Sequence, residues 1–255
     1  MSDLAAEERS EREGPEGSPP DEGAPASGRA AKRRRPFWIE LPFLAGIALV
    51  LAFLIKTFLL QAFLIPSGSM QNTLQLDDRV LVDKLTPWFG SEPDRGEVVV
   101  FRDPGDWLAG RPVKQPTTLQ KGLGFVGLMP AAGEQHLIKR VIGVAGDTVE
   151  CKGEGPLKVN GKALTEPYVF QGNTACSTDP EGQFEVTVPA GHLWVMGDHR
   201  QSSQDSRYHR SDPRGGMVPV TDVVGRAVVI AWPVPHWSTL SVPDTFDQPG
   251  LADRP

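Results

Sequence analysis

The chain has 255 residues, 39% of them hydrophobic and 23% charged, and its 26 Lys and Arg against 32 Asp and Glu leave a net charge of −6. That length accommodates one or two domains. With no basic stretch interleaved with aromatics, the balance argues against a nucleic-acid partner.

Residues 1–35 are rich in Glu, Asp, Pro, Gly, Ser and Ala and nearly lack large apolar side chains. Such a stretch cannot bury enough surface to offset the entropy of ordering, so it reads as a disordered acidic tail. The tail ends on a basic cluster, Lys32, Arg33, Arg34 and Arg35. Residues 41–55 then run without a charge, and apolar character resumes after Lys56 as far as Leu60. As a helix rising ~1.5 Å per residue, residues 36–60 are long enough to cross ~30 Å of hydrocarbon. Lys56 lies where its stem can snorkel to an interface. The cations ahead of the segment predict a cytoplasmic N-terminus, with residues 61–255 outside. A cleavable leader would share the basic start, but residues 61–65 offer bulky side chains rather than a small-x-small cleavage site. No second comparable segment follows, because residues 228–232 are far too few and are bounded by Pro233 and Pro235. The expectation is a single-pass plasma-membrane protein in contact with lipid.

Beyond residue 60 the apolar runs are short and densely punctuated. Residues 79–82, 97–101, 137–144, 148–151, 184–188, 192–196 and 223–231 are rich in Val, Ile and Phe between Gly, Pro, Asp or Asn, the pattern of strands. Asn160-Gly161 is a strong two-residue hairpin signal, and residues 145–147 form a second turn. Residues 104–133 read as a Gly/Pro-containing insertion, inert on the surface or else touching membrane or substrate. The fold class expected is mainly β, an antiparallel domain tethered to one helix.

Two cysteines, Cys151 and Cys176, fall in the extracytoplasmic part with loop-like flanks. An oxidising compartment permits one disulfide, but the sequence leaves open whether their α-carbons approach closely enough. They lack metal-site spacing.

Three segments carry potential chemistry. In residues 66–74, PSGSMQNTL, Pro66 extends the chain before it and Gly68 permits an unusual turn just ahead of Ser69. That shape presents a hydroxyl and leaves backbone N–H groups for a tetrahedral oxyanion, although the segment alone also fits an ordinary loop. A serine hydroxyl needs a base. Lysine serves only when neutral, and lowering its pKa from ~10.4 to ~7–8 disfavours the ammonium by roughly 4 kcal/mol. Lys139 lies in a strand-like run, where alternation puts it with Val141 on the face opposite Ile138 and Ile142. By itself the run also fits a surface strand. None of the histidines is linked to Ser69 by a motif. Residues 197–207, GDHRQSSQDSR, are polar or small, and their carboxylates, guanidiniums and hydroxyls can bond one another and orient a neighbouring amine.

In that order, the segments resemble the boxes of type I signal peptidases, membrane-bound Ser–Lys proteases. The family's PSxSMxPTL is matched at Pro66, Ser67, Ser69, Met70, Thr73 and Leu74, with Asn72 in place of proline. KRVIGxPGD is matched from Lys139 to Asp147, with Ala145 for proline, and GDNRxxSxDSR with His199 for asparagine. Residues 95–101 resemble a further box, with Glu97 where aspartate is common. The resemblance implies Ser69 as nucleophile and Lys139 as general base. It implies Ser67 and the Ser69 N–H as oxyanion hole, Ser203 as hydrogen-bond partner of the lysine, and Asp205 with Arg207 as a supporting ion pair. It further implies secretory preproteins as substrates, with small residues at the first and third positions before the cut, and no metal or organic cofactor. Two other readings remain: another Ser–Lys peptidase of the same clan, and an inactive anchored β module that binds export or cell-wall components.

Overall fold

The computed structural model describes residues 37–54, 59–84, 91–109, 135–177 and 179–251. The acidic tail, its basic cluster, Lys56 and most of the insertion lie outside those residues. The chain divides into two units, Met1–Phe43 and Leu44–Pro255. Helix α1, Phe37–Leu54, runs across the division and has 18 residues. No helix among the described residues is long and apolar enough to cross a membrane.

The second unit is mainly antiparallel β. Its strands are β1 Leu60–Leu64, β2 Arg79–Asp83, β3 Val98–Arg102, β4 His136–Gly143, β5 Thr148–Cys151, β6 Lys158–Val159, β7 Lys162–Ala163, β8 Phe184–Thr187, β9 His192–Met196, β10 Val218–Pro219, β11 Val223–Trp232 and β12 Ser238–Thr239. The larger sheet has the order β1-β2-β11-β3-β4-β9-β10, with β12 on β11, and the smaller has the order β7-β6-β5-β8. Each expected strand run overlaps an observed strand, and Asn160 and Gly161, at φ 51° and 75°, turn β6 into β7. Strand β1 begins at Leu60, so the range expected to be helical, 36–60, is not helical to its end. The reason is pairing: β1 runs antiparallel to β2 from Leu60↔Asp83 to Leu64↔Arg79, and a short apolar run does not itself distinguish strand from helix.

Alternation along β3 and β4 covers both faces of the large sheet. Val98, Val100 and Ile138 join one apolar cluster with Met70 and Leu74, while Val99, Phe101, Leu137 and Val141 join another with Trp107 and Val195. A third cluster, around Ile142, Val149, Trp194 and Met196, joins the end of β4 to the smaller sheet. Burying each such side chain contributes about 1.5–3 kcal/mol. A strand covered on both faces can hold a polar side chain away from water, and β4 holds two, Lys139 and Arg140, at 4% and 2% exposure.

Candidate active site

Ser69 lies in a single 3-10 turn, Gly68–Met70, whose neighbour Met70 is fully buried and anchors it to the core. Across from it, β4 delivers Lys139, whose Nζ is 2.6 Å from Ser69 Oγ and donates to it. Ser67 Oγ is 3.4 Å from Ser69 Oγ. Ser67, Ser69 and Lys139 line one cleft of about 510 Å³, together with Ile138 and Leu108.

The loop after β9 packs against this pair. Asp205 is fully buried and accepts from Gly197 N at 3.0 Å and from Arg207 Nε and Nη2 at 2.8 and 2.9 Å. Burial alone would raise the Asp205 pKa, but the Arg207 guanidinium, the Gly197 N–H and the positive field of Lys139 together hold it below the usual carboxylate value. Ser203 is 3% exposed, and its hydroxyl is buried with no hydrogen-bond partner. Gly197 allows the close fit: a Cβ there would come within 2.2 Å of Ser203 Oγ and 2.5 Å of Ser69 O.

Several supports were not legible as such in the sequence. Arg140 and Asp198 form a buried bidentate pair, and Arg140 also donates to Thr73 Oγ1 at 3.1 Å and to Gly96 O at 2.7 Å. Burial works against the Arg140 charge, but the facing Asp198 more than offsets it and raises its pKa. Arg200 pairs with Glu166 and donates to Ala175 O at 2.8 Å, so the two guanidiniums of residues 197–207 serve different carboxylates. Arg95 pairs with Asp147, whose carboxylate also takes the Val144 N–H in the turn between β4 and β5. Asn72, where the family has proline, sits at φ 87°, in a region closed to a proline ring, and donates to Tyr168 O at 3.1 Å. Cys151 and Cys176 form a disulfide with α-carbons 5.5 Å apart, which resolves the question that the sequence left open.

The start of the insertion is not inert surface. The Asp103 carboxylate accepts from Trp107 N at 2.8 Å and Leu108 N at 2.9 Å, and so turns the chain back onto the sheet. Trp107 stacks on His209 with centroids 4.3 Å apart, and both Trp107 and Leu108 line the cleft beside Ser69. Within the insertion, residues 110–133 lie outside the described residues.

A hydroxyl and an amine in contact, buried at the wall of a cleft in an antiparallel β domain, have the equipment of a serine hydrolase. The chain matches the family described as "Signal peptidase, peptidase S26" over residues 38–232. It is 41% identical over 233 residues to a probable signal peptidase I of Mycobacterium leprae, covering 81% of this chain and 80% of that one. It is 39% identical over 249 residues to a signal peptidase I of Mycobacterium tuberculosis, covering 87% and 83%. It is 32% identical over 234 residues to a signal peptidase I of Pseudomonas aeruginosa, covering 75% and 72%. A solved signal peptidase I from Enterococcus faecalis aligns with 53% of this chain and 96% of that one, at 25% identity and a TM-score of 0.33. The chain belongs to the signal peptidase family, peptidase S26, and is a serine peptidase that cleaves signal peptides.

Proposed function

We propose that Ser69 and Lys139 form the catalytic dyad of this peptidase and that the chain is held at the plasma membrane, where it meets its preproteins. The observation that carries the dyad is the 2.6 Å contact between Lys139 Nζ and Ser69 Oγ at buried positions. Neutral Lys139 takes the Ser69 proton as Oγ attacks the scissile carbonyl carbon. The carbonyl π bond breaks and its electron pair becomes the oxyanion, which the Ser69 N–H and the Ser67 hydroxyl stabilise. Collapse expels the leaving amine, to which Lys139 passes the proton, leaving an acyl ester on Ser69. Lys139 then draws a proton from water, hydroxide attacks the ester, and Ser69 leaves with its proton restored. Asp205 and Arg207 hold the loop that backs the lysine. Ser203, whose buried hydroxyl is unpaired, supplies a hydrogen bond to Lys139 as its charge changes. Trp107 and Leu108 narrow the cleft, which suits small side chains before the cut.

The anchor reading rests on the pattern of residues 32–60: cations, then an uncharged apolar run. Large apolar side chains of α1 stand in the open, with Leu49 at 72% exposure, and a helix apolar all round needs apolar surroundings. In the β unit Trp232, Val234 and Trp237 are also exposed, a composition suited to a lipid headgroup region.

The decisive experiment is to incubate detergent-purified protein with a preprotein and sequence the new N-terminus. Ser69→Ala and Lys139→Ala should each abolish cleavage while leaving the protein folded and membrane-bound. Normal turnover by either variant would eliminate the dyad.

A further inference from the structure

His199 stands where the family has asparagine, and it touches the nucleophile turn twice. Its backbone N–H donates to Ser69 O at 3.1 Å. Its ring Nδ1 lies 3.2 Å from Gly68 O and 3.0 Å from Gln71 Oε1. Both ring neighbours are carbonyl oxygens, so Nδ1 must carry the hydrogen, in the neutral ring and the cation alike. The ring is itself held: it stacks on Phe170 with centroids 4.2 Å apart, and the Phe170 N–H donates to Asp198 O at 3.0 Å.

The carbonyl that His199 holds has a particular partner. Gly68 C=O and Ser69 N–H belong to one peptide unit, and in a trans peptide the two point in opposite directions. Whatever fixes the carbonyl therefore aims the N–H. Little else does so locally: a lone 3-10 turn is held by the Gln71 N–H on Gly68 O at 3.1 Å, and Gly68 gives the unit unusual rotational freedom. We propose that His199 is a positioning residue, which aims the Ser69 N–H at the oxyanion by gripping the opposite end of its peptide unit. The inference rests on Ser69 as nucleophile and its N–H as an oxyanion donor. The Asn72 departure belongs to the same surroundings, because its side chain fastens the far end of this loop to Tyr168 O, two residues before Phe170.

The test uses full-length, detergent-solubilised protein carrying His199→Ala, His199→Leu, His199→Asn or Ser69→Ala. Leucine keeps an apolar contact with Phe170 but cannot donate, so it carries the test should the alanine variant fail to fold. Losing an oxyanion donor outright costs about 10²–10³-fold in kcat, and misaiming one should cost about ten- to a hundredfold. Ala and Leu should therefore lower kcat by that factor with KM nearly unchanged. They should weaken a peptide aldehyde, whose adduct with Ser69 carries the tetrahedral oxygen, by a similar factor. Asn, which retains an N–H donor, should recover most of both. The proposal is overturned if Ala and Leu keep wild-type kcat, if they change only KM, or if Asn does no better than Leu. An active Ser69→Ala variant would instead remove the nucleophile assignment, whatever the His199 variants do.

Discussion

Arg140 grips Asp198 through two hydrogen bonds, Nε to Oδ1 at 2.9 Å and Nη2 to Oδ2 at 2.6 Å, at side-chain exposures of 3% and 1%. The pair ties β4 to the loop after β9 immediately beside Lys139, so that lysine is located by an ion pair as well as by its own strand. Leaving one buried charge alone costs about 3–5 kcal/mol. Arg140→Ala or Asp198→Ala should lower stability by that amount, measured by urea unfolding. Arg140→Lys should recover only part of it, since an ammonium cannot make the bidentate contact. A shift within error for either truncation would show that the pair does not bear this load.

Replacing Lys139 by arginine puts a permanent cation where the proposed mechanism needs a neutral base. Guanidinium stays protonated at any working pH, so Lys139→Arg should lose at least 10³-fold in kcat/KM against a preprotein. A Lys139→Met variant, close in length and uncharged, should fold and be equally inactive. Cleavage by Lys139→Arg near the wild-type rate would require a different base.

The Cys151–Cys176 bridge closes a loop of sequence separation 25. The chain-entropy account assigns such a closure about 3.5 kcal/mol. Cys151→Ser with Cys176→Ser should therefore lower the unfolding free energy by roughly that amount. Activity should fall as well, because Ala175, next to Cys176, offers the carbonyl that holds Arg200. Turnover unchanged at a temperature where both proteins are folded would separate the bridge from the site.

Asp205 should leave a mark on acid stability. Its folded pKa is depressed, so its stabilisation is fully present above the unfolded value, ~3.9, and is lost as pH falls through the folded value. Urea melts should show wild type well above Asp205→Asn at pH 5–7, with the gap closing only below about pH 4. A constant gap down to pH 2 would contradict the depressed carboxylate.

Much of this was written locally. The strands were legible because apolar alternation has period two, and the β6–β7 turn because Asn-Gly accommodates two positive φ values. The Lys139–Ser69 contact and the buried Asp205–Arg207 pair join residues that the boxes single out. The β1 strand was not, because residues 60–64 follow an apolar helix and only the pairing with β2 separates the two readings. Glu166 and Ala175 bear on the site through Arg200, yet they lie in a loop without a motif, and what places them is packing remote in sequence. Asp198 was visible as part of a box, but its partner was not: Arg200 is nearer in sequence, and Arg140 is the residue that binds it. Trp107 came from a stretch read mainly as inert, because no spacing rule reports that a carboxylate will fold the chain back over a cleft.

Strand β4 pairs Lys139 with Val99 and Arg140 with Val98, so the proposed proton acceptor and the structural clamp occupy successive rungs facing opposite ways. A slip of one rung in one direction would present the Arg140 guanidinium to the hydroxyl and leave Val141 for Asp198, and in the other it would bring Ile138 to the hydroxyl and Lys139 to Asp198. Deleting or inserting a single residue within the strand would therefore silence the enzyme even if the apolar layers could be refilled.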